Sequence, residues 1–196
     1  MMPSAARPRP VSQLIWLACL AVSLVLCETA WSAIEAPALD AHSALWGRTS
    51  GEVRKQLGTA PEEGYEGSLT EGPREYVFYR SGLGATKALA VYIFEQDRLI
   101  RVKYLFESRK RDPQQFMDLY ESIRVRLDQV SGSTGIKKSL WRNNLYRDFP
   151  DDHAMALAVG HLYLSTKWKT GKSRLLLYAG GNDFKIDVEL EVSPQE

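Results

Sequence analysis

From residue 45 onward the chain switches between two hydrophobic periods, and the switches mark its elements. Phe116, Leu119, Tyr120, Ile123, Leu127 and Val130 recur at helical spacing on one stripe, with Arg124, Arg126 and Asp128 off it. Asp112 can cap this helix, Pro113 suits its first position, Gln115 has capping-box spacing and Gly132 ends it. A shorter helix is predicted between Thr49 and Gly58. Thr49 and Glu52 have the spacing for a reciprocal capping box, Val53 and Leu57 share a face, and Pro61 prevents continuation. A helix of about two turns must pack on something to persist.

Elsewhere the period is two. Glu75–Arg80 is rich in aromatic and branched residues, and Ser81–Gly84 breaks it. Lys87–Phe94 alternates through Leu89, Val91 and Ile93, with a turn at Gln96-Asp97. In Leu99–Phe106 the alternation places Ile100, Val102, Tyr104 and Phe106 on one face, opposite Arg101 and Lys103. Lys138–Trp141, His161–Lys169, Arg174–Ala179 and Phe184–Val192 read as further strands, with turns at 170–173 and 180–183. Asp151–Val159 stays open between a strand, from the alternation of Met155, Leu157 and Val159, and a short helix capped by Asp151 or Asp152. The order is helix, three strands, helix, three or four strands. This predicts an α+β protein of two helix-plus-antiparallel-meander units, a tandem duplication, at 45–108 and 112–192. Each helix would cover one sheet face and leave the other outward.

The first 33 residues have the layout of a secretory signal peptide: Arg7 and Arg9, an apolar run from Leu14 to Leu26, then Ala30-Trp31-Ser32-Ala33 for cleavage after Ser32 or Ala33. The run has 13 residues, against roughly 20 for a membrane span. Leu26 before Cys27 is too bulky for a lipoprotein signal, and Cys19 lies too early, inside the apolar run. A lipid anchor and a stable membrane span after cleavage are therefore not expected. The chain is expected to be exported, to the periplasm where the cell has an outer membrane and otherwise to the outside. Residues 34–44, rich in Ala with Pro37, read as a loose arm.

Both cysteines lie in the signal, so the rest of the chain offers no disulfide, thiolate nucleophile or thiolate metal ligand. Of 25 Lys+Arg and 24 Asp+Glu residues, the signal takes Arg7, Arg9 and Glu28, which leaves the remainder balanced. A general affinity for nucleic acid is not expected. Gly171-Lys172-Ser173 lacks the preceding glycine of a phosphate loop, and a strand follows it where a helix is required. Gly82-Leu83-Gly84 likewise fails as a dinucleotide loop. His42, His153 and His161 have no zinc-helix spacing. No catalytic residue, metal ligand or cofactor is assigned.

Trp46-Gly47 before the capped helix, with Glu52-Val53 and Leu57-Gly58, resembles the start of the SmpA/OmlA-type envelope module. That family includes an accessory lipoprotein of the outer-membrane barrel-assembly machine. The tandem plan is similar to the β-lactamase inhibitor proteins, built from two such units. Trp141-Arg142-Asn143-Asn144-Leu145-Tyr146-Arg147-Asp148, with Gly160-His161-Leu162, resembles a family of uncharacterised secreted bacterial proteins over Trp46–Val192. The resemblance implies a fold and an envelope setting. The lipid-accepting cysteine is missing and nothing corresponds to the inhibitors' target-binding residues, so neither is carried over.

Aromatic residues beside charges suit interfaces. Trp46 and Trp141 read first as core anchors. Trp168, between Lys167 and Lys169, is expected on an exposed sheet face. The candidate partner-binding residues are Trp141, Arg142, Asn143, Tyr146, Asp148 and Trp168. Arg101 and Lys103 with Lys167, Lys169 and Lys172 would form a basic outer surface if the sheets align. The expected role is an exported, non-enzymatic protein-binding module of the bacterial cell envelope. The alternatives are an inhibitor of a secreted enzyme acting through the acidic Glu62–Glu71 loop, or a small-ligand binder or hydrolase.

Overall fold

The computed structural model describes residues 33–34, 42–58, 72–83, 86–106 and 112–195, all within one unit spanning 31–196. In chain order these are β1 (Ala33–Ile34), a 3-10 turn (His42–Ala44), α1 (Ser50–Leu57), β2 (Arg74–Leu83), β3 (Thr86–Glu95) and β4 (Arg98–Phe106). Then come α2 (Pro113–Ser131), β5 (Ile136–Trp141), a 3-10 turn (Pro150–Asp152), α3 (His153–Ala158), β6 (Leu162–Thr170), β7 (Ser173–Asn182) and β8 (Lys185–Pro194). The α+β class is as the sequence predicts. The leader's apolar run and the acidic 62–71 loop lie outside the described residues.

The two meanders join edge to edge. Strand order is β1-β2-β3-β4-β8-β7-β6-β5, and neighbours are antiparallel except β1 beside β2. At the seam Val102 pairs with Val192 and Tyr104 with Leu190. Trp46 ties the first half to the second, its indole N–H donating to Ser173 Oγ at 3.1 Å.

Local signals explain the helices. The Thr49–Glu52 capping box forms in both directions, and Gly58 closes α1 at φ 64°. The Asp112 carboxylate caps α2 by accepting from the Gln114 amide, and Gly132 ends it at φ 64°. Phe116, Leu119, Tyr120, Ile123 and Leu127 are buried, and α2 lies against β6, β7 and β8. Each such side chain contributes about 1.5–3 kcal/mol on burial. Residues 151–159 resolve as a turn and a short helix that buries Ala154, Ala156, Leu157 and Ala158. No side chain caps that helix.

One hydrogen bond crosses this core. Tyr120 Oη and Thr166 Oγ1 are 2.6 Å apart, and both residues are fully buried. Thr166→Val is expected to cost about 1–3 kcal/mol, because it strands the Tyr120 hydroxyl away from water. The Tyr120→Phe, Thr166→Val double variant is expected to cost less than the sum of the singles in urea unfolding. Strictly additive costs would mean that the pair is not coupled.

Four sequence expectations are corrected. The arm at 34–44 is not loose where it is described: Ile34 pairs with Leu83 and His42 is buried. Ile100 leaves the core face, because the register shifts between Ile93 and Phe94, pairing Arg101 with Ile93 and Leu99 with Phe94. That makes Ile100 the extra residue of a bulge. β2 runs through Ser81 and Gly82 to Leu83 instead of breaking. β7 runs through Gly180 and Gly181, and the turn falls at Asp183-Phe184, both at positive φ. Gly180 serves the strand because a Cβ there would meet the rings of Tyr163 and Tyr178.

Candidate functional site

Alternation along the strands divides the sheet into two faces. One face carries Val77, Ala90, Tyr104, Leu190, Leu177 and Leu164, all buried in the core. No described helix lies over the other face. Its residues form rows across the strands. The central row pairs Phe78 with Val91, Val91 with Lys103, Lys103 with Glu191, Glu191 with Leu176 and Leu176 with Lys167. A neighbouring row pairs Tyr76 with Ile93 and Ile93 with Arg101.

Two open hollows lie on this face, of about 480 and 510 Å³. The first has a floor of Ile100, Leu176 and Pro194 beneath Lys167, Lys169 and Arg174. The second has a floor of Tyr76, Phe78 and Ile93. Ile100 and Arg101 line both, so the hollows adjoin at the β4 bulge. The face crosses six strands, β2 to β6, or about 24 Å at a strand spacing of about 4.8 Å.

Charge on the face is uneven. Its glutamates are paired: Glu95 with Arg74 at 3.1 Å, Glu189 with Lys103 at 3.3 Å and Glu191 with Arg101 at 3.3 Å. Lys167 and Lys169 are exposed and have no ion pair among the described residues. The basic surface expected from Arg101, Lys103, Lys167 and Lys169 is therefore assembled on one face. Lys172 stands apart, in the β6–β7 turn.

The sequence-selected partner residues divide. Trp168 is a correction: it is 3% exposed, and its indole N–H donates to Asp128 Oδ1 of α2 at 2.7 Å. In a strand, Lys167 and Lys169 point away from the face that Trp168 occupies. Asp128 Oδ1 also accepts from the Gly135 amide at 2.8 Å, and Oδ2 accepts from Arg124 at 2.7 Å. Burial raises the Asp128 carboxyl, but these three donors outweigh it and hold the group below the usual carboxylate range.

Trp141 is half-buried and meets His153 edge-on, ring centroids 4.9 Å apart. Tyr146 is half-buried and packs on His161 at 5.6 Å. Both shape the loop. Asn143 and Asp148 are exposed, and Asn143 Oδ1 accepts from the Leu145 amide at 2.9 Å. Arg142 lies over the Tyr163 ring at 4.4 Å, and Tyr163 stacks with Tyr178 at 6.0 Å. Both tyrosines belong to the open face, so Arg142 joins it.

Sequence reasoning missed Ile100 and Leu176 as surface floor. Leu176 was readable from its alternation with Leu175 and Leu177, whereas Ile100 was hidden by the bulge. Among the described residues no cluster of His, Cys, Asp or Glu is arranged to hold a metal ion. No described helix is long and apolar enough to cross a membrane. No protein-family model, curated protein or solved structure matches the chain.

Proposed function

We propose that this protein is an exported, non-enzymatic protein-binding module of the bacterial cell envelope, and that it docks its partner on the open sheet face. One observation carries the reading. Apolar residues of β2, β4 and β7 stand half-buried, beside the buried Val91 and Ile93 of β3, in two adjoining hollows that no described helix covers. A sheet of this kind buries one face and solvates the other, and apolar side chains gathered on the solvated face favour it as the docking surface. The signal-like leader supports export. The matched plan of the halves, in which β4 and β8 end their meanders and pair at the seam, supports a duplicated unit.

A photo-crosslinking residue introduced in the exporting cell tests the docking face. At Leu176, on the open face, it is expected to yield a discrete protein adduct. At Val125, 45% exposed on α2, it is expected to yield none. The same adduct from both positions, or none from Leu176, would reject the reading.

A further inference from the structure

The composition of the open face says what kind of partner it fits. Six Lys or Arg residues line the hollows, against Glu95, Glu189 and Glu191. Those glutamates are taken by Arg74, Lys103 and Arg101. The unpaired positive charge therefore collects at one end, in Lys167 and Lys169 of β6, which lie across from Leu176 and Arg174 of β7. The other end is aromatic and aliphatic, with Tyr76 and Phe78 beside Val91 and Ile93. Ile100 at the bulge joins the two. The surface is polarised along its length, in a chain whose charge beyond the leader is balanced.

We infer that the face takes a peptide segment of a partner protein lying across the strands, its acidic residues over Lys167 and Lys169 and its bulky apolar residues over Ile100, Ile93 and Tyr76. This rests on the docking reading above. About 24 Å accommodates about seven extended residues or four helical turns. Each hollow is only about half enclosed and the two adjoin, whereas a site for a single small molecule encloses most of its ligand. Complementary charge would govern encounter and orientation, and the apolar floor would hold the complex.

The test uses processed protein purified from the exporting cell and a fluorescent peptide of about ten residues, with Glu at one end and Leu and Ile at the other. Companion probes replace every Glu by Gln or by Lys, and vesicles of anionic phospholipid form a separate arm. The Glu peptide is expected to bind at least about tenfold more tightly than the Gln peptide and to weaken as salt rises. The Lys167→Glu, Lys169→Glu double variant is expected to lose that preference, while Lys55→Glu on α1 retains it. Circular dichroism checks that the exposed changes leave the fold intact.

Equal binding of the Glu and Gln peptides, or an unchanged preference in the double variant, would overturn the inference. If amide shifts at Ile100 and Leu176 still moved with the Gln peptide, the docking face would stand and only the acidic preference would fall. If no peptide moved them, both would fall. Binding to vesicles alone would replace the protein partner with a membrane surface.

Discussion

Trp168→Ala is expected to lower the unfolding free energy by about 3–5 kcal/mol, the usual cost of emptying a buried Trp site. The indole fills the core side of β6, and the vacated space would lie between Leu175 on β7 and Gly135, the residue before β5, where a Cβ would meet the Trp168 ring. The substitution also removes one of three donors from Asp128. Trp168→Phe keeps much of the packing and loses the donor, so its cost is expected near 1–2 kcal/mol. Urea unfolding of both variants separates cavity from hydrogen bond. A Trp168→Ala protein of native stability would place the side chain outside the core.

Stability is expected to fall by about 3 kcal/mol as pH drops from about 6.5 to about 4, through His42 alone. His42 is 5% exposed and packs among Tyr92, Tyr104 and Trp46. Its Nε2 hydrogen-bonds with the Tyr104 hydroxyl, and Nδ1 has no partner among the described residues. Burial disfavours the imidazolium and lowers the pKa from 6.5 to about 4. The unfolded chain therefore binds a proton at higher pH than the folded one. The contribution is complete above the unfolded value, is lost as pH falls through the window, and changes no further below about 4. His42→Phe keeps an aromatic ring and removes the titration. The difference between wild type and variant is expected to follow this window in urea unfolding at several pH values. A difference independent of pH would mean that His42 is accessible to protons in the folded state.

These two residues also show what was readable in advance. Both long-range misreadings involve a polar cue whose meaning depends on a distant surface. Lysines flank Trp168, and next-door charge suggests exposure, yet in a strand it marks the opposite face. His42 sits in an Ala-rich arm with no period, so nothing local announced that Tyr104 would cover it. Helices α1 and α2 were legible because Thr49, Glu52, Asp112, Gly58 and Gly132 act within one turn of themselves, whereas α3, which no side chain caps, stayed open between helix and strand. The meanders were legible from their alternation. Their fusion was not, because pairing Val102 with Val192 is a contact between the last strands of two meanders far apart in sequence, which no local pattern encodes. The bulge at Ile100 shifted one residue of the alternation and hid the middle of the open face. Arg101, Lys103, Lys167 and Lys169 were legible as a set only on the condition that the sheets align, which the β4–β8 seam supplies.

The central claim is that one face of the sheet is open while the other is closed, and cysteine labelling tests it directly. In a Cys19→Ser, Cys27→Ser background the chain has no other thiol, so single cysteines at Ile100, Leu176 and Leu177 can be compared under native conditions. The account predicts rapid maleimide reaction at Ile100→Cys and Leu176→Cys, and reaction limited by unfolding at Leu177→Cys, one residue away on the covered face. Equal protection at all three positions would contradict it, because the surface proposed for docking would already be filled.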